Sequence, residues 1–183
     1  MGPHGIEFDK VTNILYIADY GNHRIVTYAK NATNGTVVFD GPGLNTTQVS
    51  YPVGIYLDHL SNSLLIANFG ANNVVRWIRM EDRWTLMVGD MNGIANSTST
   101  TLRGPTDMIL DPMGNMYVAD RDNQRIQLFM SGEYVGKTIA GTTGVSGTNA
   151  SLLKSAWCVK LDNQLNLYVA DTNNHRIQKF LRY

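Results

Sequence analysis

The sequence predicts an all-β chain made of four copies of one antiparallel sheet unit, and three observations carry that expectation. First, a fourteen-residue stretch recurs: Leu15–Tyr28 (LYIADYGNHRIVTY), Leu64–Trp77 (LLIANFGANNVVRW), Met116–Phe129 (MYVADRDNQRIQLF) and Leu167–Phe180 (LYVADTNNHRIQKF). The in-phase residues Asp19, Asn68, Asp120 and Asp171 are 49, 52 and 51 positions apart, a period that belongs to repeat architectures. Second, each copy places four apolar residues before a turn rich in Asp, Asn and Gly and follows it with a second apolar run. Short apolar runs covered on both faces suit strands, and the turn residues supply side-chain hydrogen bonds and tolerate left-handed backbone. Third, every copy has a short apolar run upstream, and the first three have one downstream.

Taken in order, the upstream strands are Gly5–Asp9, Gly54–Asp58, Asp107–Asp111 and Cys158–Asp162. The downstream ones are Thr36–Phe39, Thr85–Val88 and Lys137–Ala140. Four short antiparallel strands per unit make a β-propeller blade. Blades are expected at 3–39, 52–88, 105–140 and 156–183, one propeller domain spanning 1–183, with the last blade lacking its outer strand. The segments between blades are Gly-, Ser-, Thr- and Asn-rich connections, and each sheet must stack on its neighbours to bury its faces.

The units resemble NHL repeats, through the turn residues Asn22-His23-Arg24 and Asn174-His175-Arg176 and the recurring Pro, Gly, Ala-Asp and Arg-Ile positions. The second copy departs from the pattern at Asn68, Ala71 and Asn73, and the fourth has Ala156 where Pro3, Pro52 and Pro105 stand in the others. The resemblance implies a six-bladed ring, of which four blades form an open arc. Blades one and four are then expected not to touch, and Ile6, Phe8, Ile17, Val159, Leu161 and Val169 should face outward without a stacking neighbour. Further blades of a parent chain are expected as partners.

Composition narrows the function. Fifteen basic residues balance fifteen acidic ones, so no basic face for nucleic acid is expected. No apolar run approaches the ~20 residues of a membrane span. Met1 is followed almost at once by the first strand, so no signal peptide is expected and the chain reads as a fragment. The lone Cys158 lies in an apolar strand and is expected to be a small buried hydrophobe. Five Asn-X-Ser/Thr sequons, at Asn31, Asn34, Asn45, Asn96 and Asn149, fall between strands and favour an extracellular or luminal setting over a cytoplasmic one.

The pairs Asp19–Arg24, Asp120–Arg125 and Asp171–Arg176 recur, and recurrence points to a structural turn brace, because an active site is normally built once. Binding residues should therefore sit where the repeats disagree, on the face formed by the strand entrances and the central turns. The candidates are His4, Tyr20, Phe69, Arg103, Thr106, Asp107, Arg121 and Trp157, an aromatic and basic set around one carboxylate. Such residues build binding hot spots.

A non-enzymatic module binding a protein or a glycan is the expected function, with no cofactor and no metal. The resemblance also implies two enzyme alternatives: zinc-dependent peptidyl-hydroxyglycine amidating lyases and calcium-dependent lactonase-like hydrolases. A third alternative is RNA binding, as in the NHL domains of some tripartite-motif ubiquitin ligases. Zinc catalysis needs three protein ligands, and of the four His only His4 lies near the expected channel mouth.

Overall fold

The structure is a computed structural model of the chain, and it describes residues 2–182. Four antiparallel sheets follow one another in sequence order. Blade one comprises β1 (Ile6–Asp9), β2 (Ile14–Asp19), β3 (Arg24–Ala29) and β4 (Thr36–Phe39). Blade two comprises β5 (Pro52–Asp58), β6 (Ser63–Asn68), β7 (Asn73–Ile78) and β8 (Thr85–Gly89). Blade three comprises β9 (Pro105–Leu110), β10 (Met116–Asp120), β11 (Arg125–Phe129) and β12 (Gly136–Gly141). Blade four has three strands: β13 (Ala156–Leu161), β14 (Leu167–Asp171) and β15 (Arg176–Phe180). The fold class expected from the repeats is the one observed. The expected end of blade four, Tyr183, lies outside the described residues.

Three of the inner strands start two residues earlier than expected, at Pro52, Pro105 and Ala156. The reason is a register shift. In blade two Pro52 pairs with Asn68 but Ile55 pairs with Ile66, so the entrance is bulged. A bulge bends the strand and re-aims the side chains at its mouth, and blades three and four carry the same shift.

The core is three inter-sheet layers. Between blades one and two lie Tyr16, Ile25, Phe39, Ile66, Trp77 and Trp84. Leu65, Val74, Met108, Met116 and Phe129 pack between blades two and three. Ile126, Leu153, Val159 and Val169 pack between three and four. Burying one such side chain contributes roughly 1.5–3 kcal/mol, so stacking rather than any single sheet holds the arc.

The expectation for blade four's outward face needs correction. Val159 and Val169 are fully buried against blade three, and Leu161 packs there too. Strand alternation instead turns Lys160, Ile177 and Lys179 outward, and Ile177 is 66% exposed. At the other end Ile6 is 65% and Phe8 49% exposed, so the sheets do form an open arc. The expected separation of blades one and four fails at one point. The His4 and Trp157 rings stack with centroids 5.7 Å apart, because inner strands converge on the axis while outer strands splay.

Candidate functional site

Each blade top is built by the recurrent turn. The residues after the second strand form a one-turn 3-10 helix (Tyr20–Asn22, Phe69–Ala71, Arg121–Asn123, Thr172–Asn174). It closes on a left-handed residue, His23, Asn72, Gln124 or His175, at φ of 53°, 53°, 59° and 53°. The Asp and Arg flanking the turn meet across it: Arg24 Nε donates to Asp19 at 2.7 Å, Arg125 to Asp120 at 2.7 Å and Arg176 to Asp171 at 2.8 Å.

The brace does more than hold the hairpin. Asp120 and Asp171 each accept a backbone N–H from the incoming loop, from Arg103 and Lys154, both at 2.7 Å, and Asn68 does the same for Ser50. Arg125 donates onward to the carbonyls of Ser97, Thr98 and Thr101, and Arg176 to those of Thr148, Asn149 and Leu152. Asp–Arg thus staples the connection from the preceding blade.

Electrostatics differ among the three. Burial pushes Asp19 and Asp171 up, but the hydrogen bonds from Asn22 and Arg24, and from Asn174 and Arg176, outweigh it and hold both below the usual carboxylate value. Burial prevails for Asp120, which is raised.

The left-handed residue reaches forward to the next blade. His23 Nδ1 accepts the Tyr51 N–H at 3.2 Å, Asn72 Oδ1 that of Gly104 at 2.9 Å, and Gln124 Oε1 that of Ser155 at 2.8 Å. All three donors have left-handed backbone, at φ of 49°, 57° and 55°. This forward grip was not anticipated from the sequence, although His, Asn and Gln all offer an acceptor at that position.

With the turns fixed, their first residues converge on the axis. Tyr20 lies 4.4 Å from His4 and 6.3 Å from Phe69, centroid to centroid. The Arg121 guanidinium sits 5.9 Å over Phe69 and 5.3 Å over Trp157, and Trp157 stacks back on His4. Five of the eight candidates therefore form one belt around the mouth: His4, Tyr20, Phe69, Arg121 and Trp157. Arg121 also pairs with Asp122 at 2.9 Å. Tyr51, missed at the sequence level, extends the belt through contacts with Tyr20 at 4.9 Å and His23 at 3.9 Å. The signal that could have found it is disagreement among the copies, since the matching positions are Gly104 in blade three and Ser155 in blade four.

The other three candidates lie elsewhere. Arg103 is exposed and contributes its backbone N–H and carbonyl to the turn, not its side chain to the belt. Thr106 is buried and its hydroxyl donates to the Ala156 carbonyl.

Asp107 is also buried, inside the axial channel beneath the belt. The two are corrections to the expected open rim: the bulged entrance turns both inward.

The channel encloses about 160 Å³ and receives residues from all four inner strands. Its width is set by the residues two after each blade's entrance Pro or Ala, namely Gly5, Gly54, Asp107 and Cys158. A Cβ on Gly54 would stand 2.6 Å from the Thr106 carbonyl oxygen, so adjacent inner strands touch backbone to backbone there. In blade three the equivalent residue is Asp107, whose Oδ2 accepts the Val159 N–H at 3.0 Å, so a carboxylate bridges blades three and four. Burial raises Asp107 to about 6, against the Val159 and Met108 amides and Lys160, which lower it. Burial likewise raises Glu7, on the opposite wall, with Lys160 and His59 opposing.

Cys158 is not the buried hydrophobe expected. It is an exposed free thiol lining the channel, and desolvation there together with Asp107 pushes it up to about 11, so it stays a protonated thiol at neutral pH.

The residues present do not fit the metals implied by the enzyme alternatives. His23 is engaged by Tyr51, His59 sits beside Phe8, Lys10 and Arg79 at the opposite end, and His175 is in blade four's turn. Among the described residues no group of three His, Cys, Asp or Glu is arranged to hold an ion. No helix among them is long and apolar enough to cross a membrane. All five sequon asparagines are exposed and lie in loops.

The NHL-repeat family model matches residues 1–28 and 153–180. No curated protein sequence matches the chain. Similar solved structures include an auxiliary nutrient binding protein from Bacteroides thetaiotaomicron (TM-score 0.75, 17% identity, 96% of this chain and 46% of that one). Another is a catalytically inactive virginiamycin B lyase from Staphylococcus aureus with quinupristin (0.68, 14%, 99% and 53%). A third is a gluconolactonase from Xanthomonas campestris (0.76, 15%, 100% and 59%). The chain spans about half the length of these proteins, and at such identities the likeness concerns the fold. With antiparallel sheets following one another in all four positions, the chain is a β-propeller arc, and its residues 1–28 and 153–180 match NHL repeats.

Proposed function

We propose that this arc is a non-enzymatic binding module whose axial mouth receives a protein or glycan partner. The observation that carries the reading is the belt itself. Five side chains drawn from all four blades, none of them required by the repeat, meet in ring-to-ring and guanidinium-to-ring contact around one opening. Aromatic faces with an Arg bury large area at low entropic cost, and such residues dominate measured binding energies. The similar nutrient binding protein is consistent with this role. The exposed sequons support an extracellular or luminal site of action.

One feature favours the enzyme alternative: burial in a cavity pushes Asp107 up to about 6, where a general acid or base would be placed. Against it stands Asp107's engagement with the Val159 amide, with no nucleophile activated beside it.

The test is selection of ligands from glycan and peptide libraries on the purified chain, followed by calorimetry with Tyr20→Ala and Trp157→Ala. Loss of ~1–3 kcal/mol of binding in each variant is expected. Ligands that bind both variants as tightly as the parent, or turnover of lactone substrates abolished by Asp107→Asn, would overturn the reading.

A further inference from the structure

Away from the axis, the arginines that brace this fold pair with Asp: Arg24, Arg79, Arg125 and Arg176. Arg76 does not. It lies on β7, on the face turned to blade three, and its guanidinium makes no hydrogen bond or ion pair among the described residues. Its Nε is buried without a partner.

Arg76 lines a cleft of about 340 Å³ between blades two and three, together with Met87, Met116, Phe129, Met130 and Tyr134. Glu133 stands at the rim on an exposed turn and is not paired with it.

The repeat supplies an internal control. The residue equivalent to Arg76 in blade three is Leu128, and it lines the corresponding cleft between blades three and four, about 310 Å³ with Ile139, Leu167 and Phe180. Blade packing alone is therefore satisfied by leucine at this position. Arginine at the same place leaves a desolvated donor in an apolar cleft, a cost that packing does not explain.

We infer that the cleft between blades two and three binds a monocarboxylate with an apolar body. The carboxylate takes the fork of Arg76, which presents parallel donors matched to two oxygens. Met87, Met116 and Phe129 hold the body, the thioethers adapting to its shape. A dianion such as phosphate is a poorer match, since one guanidinium would leave its second charge unpaired among apolar side chains. The volume is in the range of small-ligand pockets. Two sources offer this chemistry: a free medium-chain or aryl acid, and the apolar C-terminus of a peptide.

The experiment is calorimetry of the full chain with octanoate, with its methyl ester, and with a Leu-ended peptide as free acid and as amide. Octanoate or the free-acid peptide should bind while the ester and the amide do not, and whichever acid binds identifies the source. Arg76→Leu, which copies the neighbouring cleft, should weaken the acid ~tenfold or more while leaving the protein at least as stable to unfolding. Arg76→Lys should fall between the two, and Trp157→Ala, at the axial mouth, should bind as the parent does. Equal binding of acid and ester, full affinity in Arg76→Leu, or no binding of either acid at millimolar concentration would overturn the inference and leave Arg76 as a cover for apolar surface.

Discussion

Asp107→Asn separates the channel's electrostatics from its architecture. The carboxyl rises from 3.8 to about 6 because it is buried, and that displacement corresponds to ~3 kcal/mol of penalty on the charged form. Below pH 3.8 the folded and unfolded carboxyls are both protonated. Between 3.8 and about 6 only the folded one holds its proton, so this group's contribution to stability is progressively lost as pH rises and is gone above about 6. Asparagine removes the charge and keeps an oxygen for the Val159 N–H, much as the protonated carboxyl does. The variant should therefore be more stable than the parent by ~2–3 kcal/mol at pH 8 and no more stable at pH 4. Urea unfolding of both proteins from pH 4 to 8 reads the difference, in which Asp19, Asp162 and Asp171, common to both, cancel. A difference that stays flat with pH, or one that favours the parent at pH 8, would refute the argument and return Asp107 to the status of an ordinary bridging carboxylate.

Arg125→Ala strands the buried Asp120 and frees the 97–101 loop, and a loss of ~3–5 kcal/mol is expected in chemical unfolding. Arg24→Ala, whose side chain is 38% exposed and grips no incoming loop, should cost under ~1 kcal/mol by the same measurement. Gly54→Ala pushes a methyl onto the backbone of Thr106 and Asp107, and thermal unfolding should show a loss of ~1–3 kcal/mol. Expression through a secretory pathway should attach glycans at Asn31, Asn34 and Asn45, visible as mass lost on enzymatic deglycosylation; unmodified asparagines at all three would argue against an extracellular setting.

The sheet order could be read because it is written four times. Repetition averages out local irregularity: Asn68, Ala71 and Asn73 break the pattern of blade two, yet its four strands form in register. The belt was legible for a related reason, since His4, Tyr20, Phe69, Arg121 and Trp157 occupy positions where the copies disagree. What could not be read depended on a shift of one or two residues. The entrance bulge decides whether Thr106 and Asp107 face solvent or the channel, and alternation along β13 decides which of Cys158, Val159 and Lys160 is covered. A one-residue slip exchanges the faces of a strand, and no local signal in these stretches fixes it. The forward grips join partners 28 or more residues apart, and the Arg76 cleft closes against Met116 and Phe129 of the next blade, so both exist only when neighbouring blades stack.

Those forward grips run in one direction. The acceptor always belongs to the earlier blade and the amide to the later one: His23 to Tyr51, Asn72 to Gly104, Gln124 to Ser155. Each blade thus carries, at its turn, an acceptor placed for the entrance amide of the blade that follows it in the chain. Because His, Asn and Gln serve interchangeably, a blade duplicated within the gene carries both halves of the connection, a receiving amide at its entrance and an acceptor at its turn. Contacts such as Asp107 with the Val159 amide, made at a single junction, would not travel with the repeat in this way.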